Sequence, residues 1–287
     1  MIVFLFSAWA APLLFKVLPF EYERIMDRLI VLLGFFTVYV MYIRGHEREL
    51  ILFGFKGTEK TKWLSAGFVY GLATVVFIVL VEIFLGAREL QVNFSKSGPF
   101  ISAGSAVLTG LAVGLFEEWF FRGFILKSFH RGLSLRWAIF WMNFLYAISH
   151  FIEVGNLQGG EQASFVNSLK LMAGFFSQFR EPAPVLMQMA GLFIFGYLLT
   201  SALLKTGSLY LGMGVHAGVV AAIKVHDRLV QSTGEGPMWF FGDDKYYNGV
   251  LGWVGLLLSW FILTKLIDRI SWPKQAPLLS IEHPSAS

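Results

Sequence analysis

The chain has 287 residues, 56% of them hydrophobic and 15% charged, against about 25% charged in a soluble domain, which excludes an ordinary water-soluble globule. Its net charge of +4 is spread through short segments between apolar blocks. Those cations read as topology signals and headgroup contacts, not as the concentrated basic face of a nucleic-acid binder. With no cysteine, disulfides, thiol nucleophiles and thiol redox chemistry are excluded.

Apolar blocks in chain order predict an all-α, polytopic transmembrane helical bundle of about eight spans, at residues 2–15, 29–43, 63–85, 100–126, 136–152, 185–204, 209–225 and 249–266. The first two are shorter than the ~20 residues a crossing needs, so each is read as tilted, extended into the headgroups or re-entrant. The first contains Ala8-Trp9-Ala10, which imitates a cleavage site. It lacks a charged leader, and the expectation is a retained helix. Trp63 and Trp137, near helix ends, suit an aromatic belt.

Residues 163–179 are amphipathic, with Phe165, Leu169, Met172, Phe176 and Phe179 at helical intervals and Ser168, Lys170 and Gln178 elsewhere; this pattern predicts an interfacial helix. His46, His130, His226 and His283 fall in or beside connecting segments and read as solvated. From Ser271 onward the chain is too polar and proline-interrupted to pack. The organisation expected is therefore N-terminal helices at 1–99, a functional core at 100–225, and a final loop, helix and tail at 226–287.

Cations in the connections divide twelve to ten between the two sides, with Arg44, Lys60, Lys127, Arg131, Lys205 and Arg269 among the twelve. The positive-inside rule then predicts a multi-pass cell-membrane protein with both termini cytoplasmic.

Ionisable residues interrupt this apolar pattern in one informative place, Glu117-Glu118-Trp119-Phe120-Phe121-Arg122-Gly123. A charge at mid-bilayer costs about 2.5–3.5 kcal/mol on insertion scales, so something must offset it. On a continuous α-helix Glu118 and Arg122 stand at i and i+4 and form an ion pair. Glu117, about 100° around, points elsewhere and is the carboxylate available to a cavity.

A second signal is Asn143, Tyr146 and His150, which fall at i, i+3 and i+7 on one helical stripe. Buried polar groups of that kind require partners inside the bundle. A third is His216, flanked by Gly212, Gly214 and Gly218, small residues that permit close helix approach and leave room beside the imidazole for a substrate backbone. The pairs Gly67/Gly71 and Gly110/Gly114 read as packing only.

If Glu117, His150 and His216 converge, a carboxylate and an imidazole can activate one water while the second imidazole stabilises an oxyanion. The same three side chains are also a plausible zinc set with metal-bound water as nucleophile. A transporter or channel and a purely structural polar network remain alternatives on the residues alone.

Taken together, the paired glutamates with Arg122 and Gly123, Tyr146 four residues before His150, and Phe193-Ile194-Phe195-Gly196-Tyr197-Leu198 leading to His216-Ala217-Gly218 resemble the CAAX protease and bacteriocin-processing family of intramembrane endopeptidases. The resemblance covers about residues 100–225. It implies Glu117 as general base, His150 holding the water, His216 stabilising the oxyanion, and Glu118 and Arg122 in support, with Asn143 and Tyr146 alongside. It implies no obligatory cofactor, with zinc as the alternative, and a membrane-anchored peptide or protein as substrate.

One position departs from the family pattern: Val220 stands where an asparagine or aspartate is usual. Valine donates no hydrogen bond, and losing one oxyanion donor costs about 2.7–4 kcal/mol of transition-state stabilisation. Asn143 or Ser149 are the candidates to compensate. A non-catalytic membrane scaffold or regulator of the same fold is the competing expectation.

Overall fold

The structure, a computed structural model, describes residues 2–18, 20–44, 54–55, 59–92, 98–151, 163–174, 179–243 and 245–273. His46, His283, Phe176, Gln178 and the tail from residue 274 lie outside the described residues. The chain divides into two compact units, one of residues 1–48 and 148–185 and a larger one of 49–147 and 186–287.

In the smaller unit, α1 (Ile2–Phe15) and α2 (Tyr22–Arg44) pack with α7 (Phe165–Ala173). Their shared core is Ala11, Tyr22, Ile25, Met26, Ile30 and Leu171. Helix α2 begins several residues before the apolar block that predicted it, because its first turns carry Glu23, Arg24 and Asp27. The amphipathic helix forms, capped by the Ser164 side chain, which accepts from Asn167 N. Ser168 corrects the expectation: it faces inward, where it hydrogen-bonds the Tyr22 hydroxyl and donates to Ala8 O at 3.0 Å.

The larger unit holds α3 (Lys60–Phe84), β1 (Arg88–Leu90), α4 (Gly98–Glu117), a π-helical stretch (Glu118–Ile125), α5 (Leu126–His130), most of α6 (Leu135–Ser149) and of α8 (Pro182–Thr206), α9 (Leu209–His226), β2 (Val230–Ser232), α10 (Met238–Phe241) and α11 (Val250–Arg269). Helix α9 is the axis of this bundle and lies against both α3 and α4. Glycines set those approaches. A Cβ on Gly67 or Gly71 would run into the α9 backbone, one on Gly110 or Gly114 into the backbone around Met213 and Ala217, and one on Gly214 or Gly218 into α3. Close backbone contact of this kind supplies the packing energy that the hydrophobic effect cannot supply between helices in lipid.

The pairings fix direction. Helix α3 runs parallel to α9 and α4 antiparallel to it. Helix α11 runs antiparallel to α3, with Tyr70 donating to Ser259 O and Trp63 stacked edgewise on Trp272. Helix α8 runs parallel to α11, tied by Lys205 to Asp268 at 2.7 Å and by Trp260 to Ser201 at 2.9 Å. One end of the unit therefore gathers Lys60, Lys62, Lys127, Arg131, Lys205, Lys265 and Arg269, and the opposite end Arg88, Lys224, Arg228 and Lys245.

The protein is an all-α polytopic membrane protein, with a two-stranded antiparallel ribbon as its sheet among the described residues. The expected count of about eight spans is not matched. Among the described residues five helices are long and apolar enough to cross: Lys60–Phe84, Gly98–His130, Pro182–Thr206, Leu209–His226 and Val250–Arg269. Helix α1, with 14 residues, and α6, with 15, rise about 21–23 Å at 1.5 Å per residue, short of a ~30 Å hydrocarbon layer.

Three further expectations change. Trp63 is buried beneath Trp272 and does not belong to an interfacial belt, whereas Trp137 is exposed. His226 is buried at the end of α9, its ring edge-on to Tyr246 at 4.4 Å. Arg88 is no surface topology signal: its Nε meets Glu82 Oε2 at 2.6 Å, with both side chains buried. His130 stands half-buried at the end of α5 beside the Leu133 carbonyl, 3.3 Å away.

Candidate functional site

Where α4 ends, the helix widens into a π-helical stretch from Glu118 to Ile125. Backbone hydrogen bonds to i+5 open the turn and reduce the rotation per residue, and such stretches concentrate at functional sites. Glu118 opens the stretch and points inward, with 1% of its side chain exposed. Glu117, the last residue of α4, is more open at 25%.

Glu118 Oε1 accepts from Arg122 Nη1 at 3.0 Å and from His216 Nδ1 at 3.0 Å. The ion pair expected at i and i+4 is present. A buried pair is tolerated when further hydrogen bonds satisfy its remaining atoms, and here Arg122 Nη2 also donates to Gly196 O at 3.1 Å. The guanidinium lies over the Tyr146 ring at 4.4 Å, a cation–π contact strengthened by exclusion of water. Gly212 leaves the space that Glu118 occupies, since a Cβ there would stand 3.0 Å from Oε2.

The expectation that Glu117 points away from Glu118 is corrected. Both carboxylates approach the same imidazole, Glu118 at Nδ1 and Glu117 Oε2 at 3.8 Å from Nε2. The two carboxylates reach different nitrogens of the ring, so the ~100° between neighbouring residues of a helix does not keep Glu117 away from it. His216 itself is buried, edge-on to Phe195 at 5.3 Å and to Tyr146 at 6.3 Å. A carboxylate only accepts, so Nδ1 carries its proton toward Glu118 and Nε2 is the nitrogen turned to Glu117.

The glycines around His216 serve the close helix approach expected of them, but not the second role, room for a substrate backbone. Gly214 and Gly218 face the α3 backbone and Gly212 faces Glu118, so none of these three opens a space for substrate beside the ring.

Asn143 and Tyr146 share one face of α6, as their spacing predicts, and both are buried. They press on α8 at Gly196, where an added Cβ would lie 2.6 Å from Asn143 Oδ1 and 3.1 Å from Tyr146 Cδ1. Thr200 Oγ1 donates to Gly196 O at 2.8 Å and stands 3.4 Å from Asn143 Oδ1. His150 lies just beyond the C-terminus of α6, half-buried, in the smaller unit. Val220 is one helical turn beyond His216 on α9 and half-buried.

Gly196, Thr200 and Phe195 complete the cluster but were not singled out as site residues from sequence. Gly196 and Phe195 were already visible in the Phe193–Leu198 motif. Thr200 gave no signal, because a threonine bonded back to the carbonyl four residues earlier is ordinary in a spanning helix.

Among the described residues no group of three or more His, Cys, Asp or Glu side chains has an arrangement that would hold a metal ion. With Nδ1 of His216 bonded to Glu118, zinc ligation by Glu117 and His216 would draw on Nε2 alone.

Residues 99–222 match the family model described as type II CAAX prenyl endopeptidase, Rce1-like. No curated protein and no solved structure matches the chain.

Proposed function

On the premise that residues 99–222 are an Rce1-like domain, we propose that the protein is an intramembrane endopeptidase that cleaves a membrane-anchored peptide or protein by carboxylate-activated water. The observation that carries this reading is the imidazole of His216 held between Glu117 and Glu118 inside a bundle of spanning helices.

Glu117, the more open of the two carboxylates, takes a proton from water as the water attacks the scissile carbonyl, then returns it to the departing amine. The family resemblance gives His150 the role of holding that water. The Nε2 edge of His216 stabilises the oxyanion, for which it must carry a proton there as well as on Nδ1. Glu118 and Arg122 fix the ring, and Tyr146, Asn143 and Gly196 support Arg122 in turn. No step passes through a metal or other cofactor.

The active water needs a hydrated path, since an isolated water in lipid has neither partners nor supply. His216 is seven residues inside the Lys60 end of α9, about 10 Å by helical rise. That end carries most of the cations of the larger unit, so it faces the cytoplasm by the positive-inside rule. Substrates are then chains anchored in the cell membrane that present an extended bond near its cytoplasmic surface; nothing in the site calls for nucleic acid.

Cleavage of a membrane-anchored reporter in proteoliposomes tests the reading. Glu117→Ala and His150→Ala should each abolish cleavage while the protein still accumulates in the membrane, and full activity in either variant sinks it. Val220 favours a second reading, a non-catalytic scaffold or regulator of this fold. Under that reading Glu117→Gln preserves the biological effect, and only variants that disturb helix packing remove it.

A further inference from the structure

At the His226 end of the larger unit a small cap is built from the β1/β2 ribbon and the segments 233–243 and 245–249. Arg88 locks it. The guanidinium meets Glu82 at 2.6 Å, donates from Nη2 to Asp243 O at 2.6 Å, and lies over the Tyr246 ring at 4.9 Å, while the ring of His226 packs edge-on to Tyr246. Tyr246 has φ 57, a left-handed conformation that a bulky side chain keeps only where its surroundings impose it. A buried charge cluster at the end of the unit opposite Lys60 thus fixes the position of one loop.

What the loop presents is apolar. Met238 is 71% exposed, Trp239 59%, and Leu90 of the neighbouring ribbon 74%. Helix α10, which carries Met238 and Trp239, packs on the start of α11, and a Cβ on Gly249 would stand 2.6 Å from Phe240 O. These side chains therefore sit level with the start of α11, at the end of the unit where Phe84 and Phe100 on α3 and α4 are also exposed. An aromatic and a methionine at that level suit the boundary between headgroups and acyl chains.

We propose that the cap is an interfacial membrane anchor, in which Met238 and Trp239 insert into the lipid boundary and the Glu82–Arg88 pair holds them at that depth. The occupant of this surface is the bilayer itself. The proposal stands independently of peptidase activity.

The chain has no cysteine, so single cysteines report without background. Nitroxides attached after Met238→Cys, Trp239→Cys and Glu235→Cys, in full-length protein reconstituted into phosphatidylcholine–phosphatidylglycerol vesicles, are compared by power-saturation electron paramagnetic resonance. Labels at 238 and 239 should relax with oxygen and ignore a water-soluble nickel chelate, and the label at 235 should do the reverse. Nickel accessibility at 238 and 239 equal to that at 235 overturns the anchor. Shielding from both reagents with spin–spin broadening also overturns it, because a second copy then covers the face. Adding Arg88→Met to the 239 label should narrow its spectrum as the cap loosens; an unchanged spectrum overturns the role of the pair.

Discussion

Glu118 and His216 join two spanning helices through one bond, Oε1 to Nδ1 at 3.0 Å, and the same oxygen receives Arg122. The carboxylate is therefore the shared acceptor for two buried donors. Glu118→Gln leaves a guanidinium uncompensated in a dry site, a loss of about 3–5 kcal/mol. A marked fall in thermal midpoint in detergent is expected. Adding Arg122→Met should recover much of it, and a double variant less stable than the single one contradicts the pairing.

Cleavage should respond to Val220→Asn in the opposite direction. The new amide would stand one turn from His216, and one oxyanion donor is worth about 2.7–4 kcal/mol. A gain in kcat toward ~10²-fold, with stability unchanged, is the expected result. An unaltered rate means that the oxyanion is already served by another donor.

Glycine substitutions should separate packing from site support. Gly104 has nothing within 4 Å of an added Cβ, so Gly104→Ala is neutral or stabilising by up to about 1 kcal/mol. Gly71→Ala meets the backbone of Val215 and should sharply reduce folded protein in the membrane. Gly196→Ala pushes on Asn143 and Arg122; overpacking of ~1–3 kcal/mol should appear with a disproportionate loss of activity. Fluorescence-detected size exclusion and a cleavage assay on the three variants decide this.

Exhaustive chelation should leave cleavage intact if water is activated by Glu117 alone. Stoichiometric zinc whose removal reversibly abolishes activity would displace that mechanism in favour of metal-bound water.

Much of this site was legible because charges in apolar blocks are conspicuous. Glu118 and Arg122 declared their pairing by spacing, and Asn143 and Tyr146 their common face. The convergence of Glu117 and Glu118 on one ring was not legible, because the angle between neighbours on one helix does not say where an imidazole from another helix sits or which of its nitrogens each carboxylate meets. The Glu82–Arg88 pair was missed for a related reason. Glu82 is the one charged residue of the apolar block 63–85, but its partner lies six positions on, across a turn at Gly86 with φ +79, where a cation reads as part of a connection. The span count differs because apolar blocks such as 2–15 and 136–152 form helices of only 14 and 15 residues, short of the ~30 Å layer.

The widened turn between Glu118 and Ile125 ties the chemistry to arithmetic of the chain rather than to spelling. Substituting Trp119 or Phe120 alters side chains but keeps the bore, whereas removing either one lets the coil tighten back to the ordinary pitch. Arg122 would then stand three residues from Glu118 instead of four, out of register with the oxygen it meets at 3.0 Å. In this stretch, a gap in the sequence is more damaging than a change of letter.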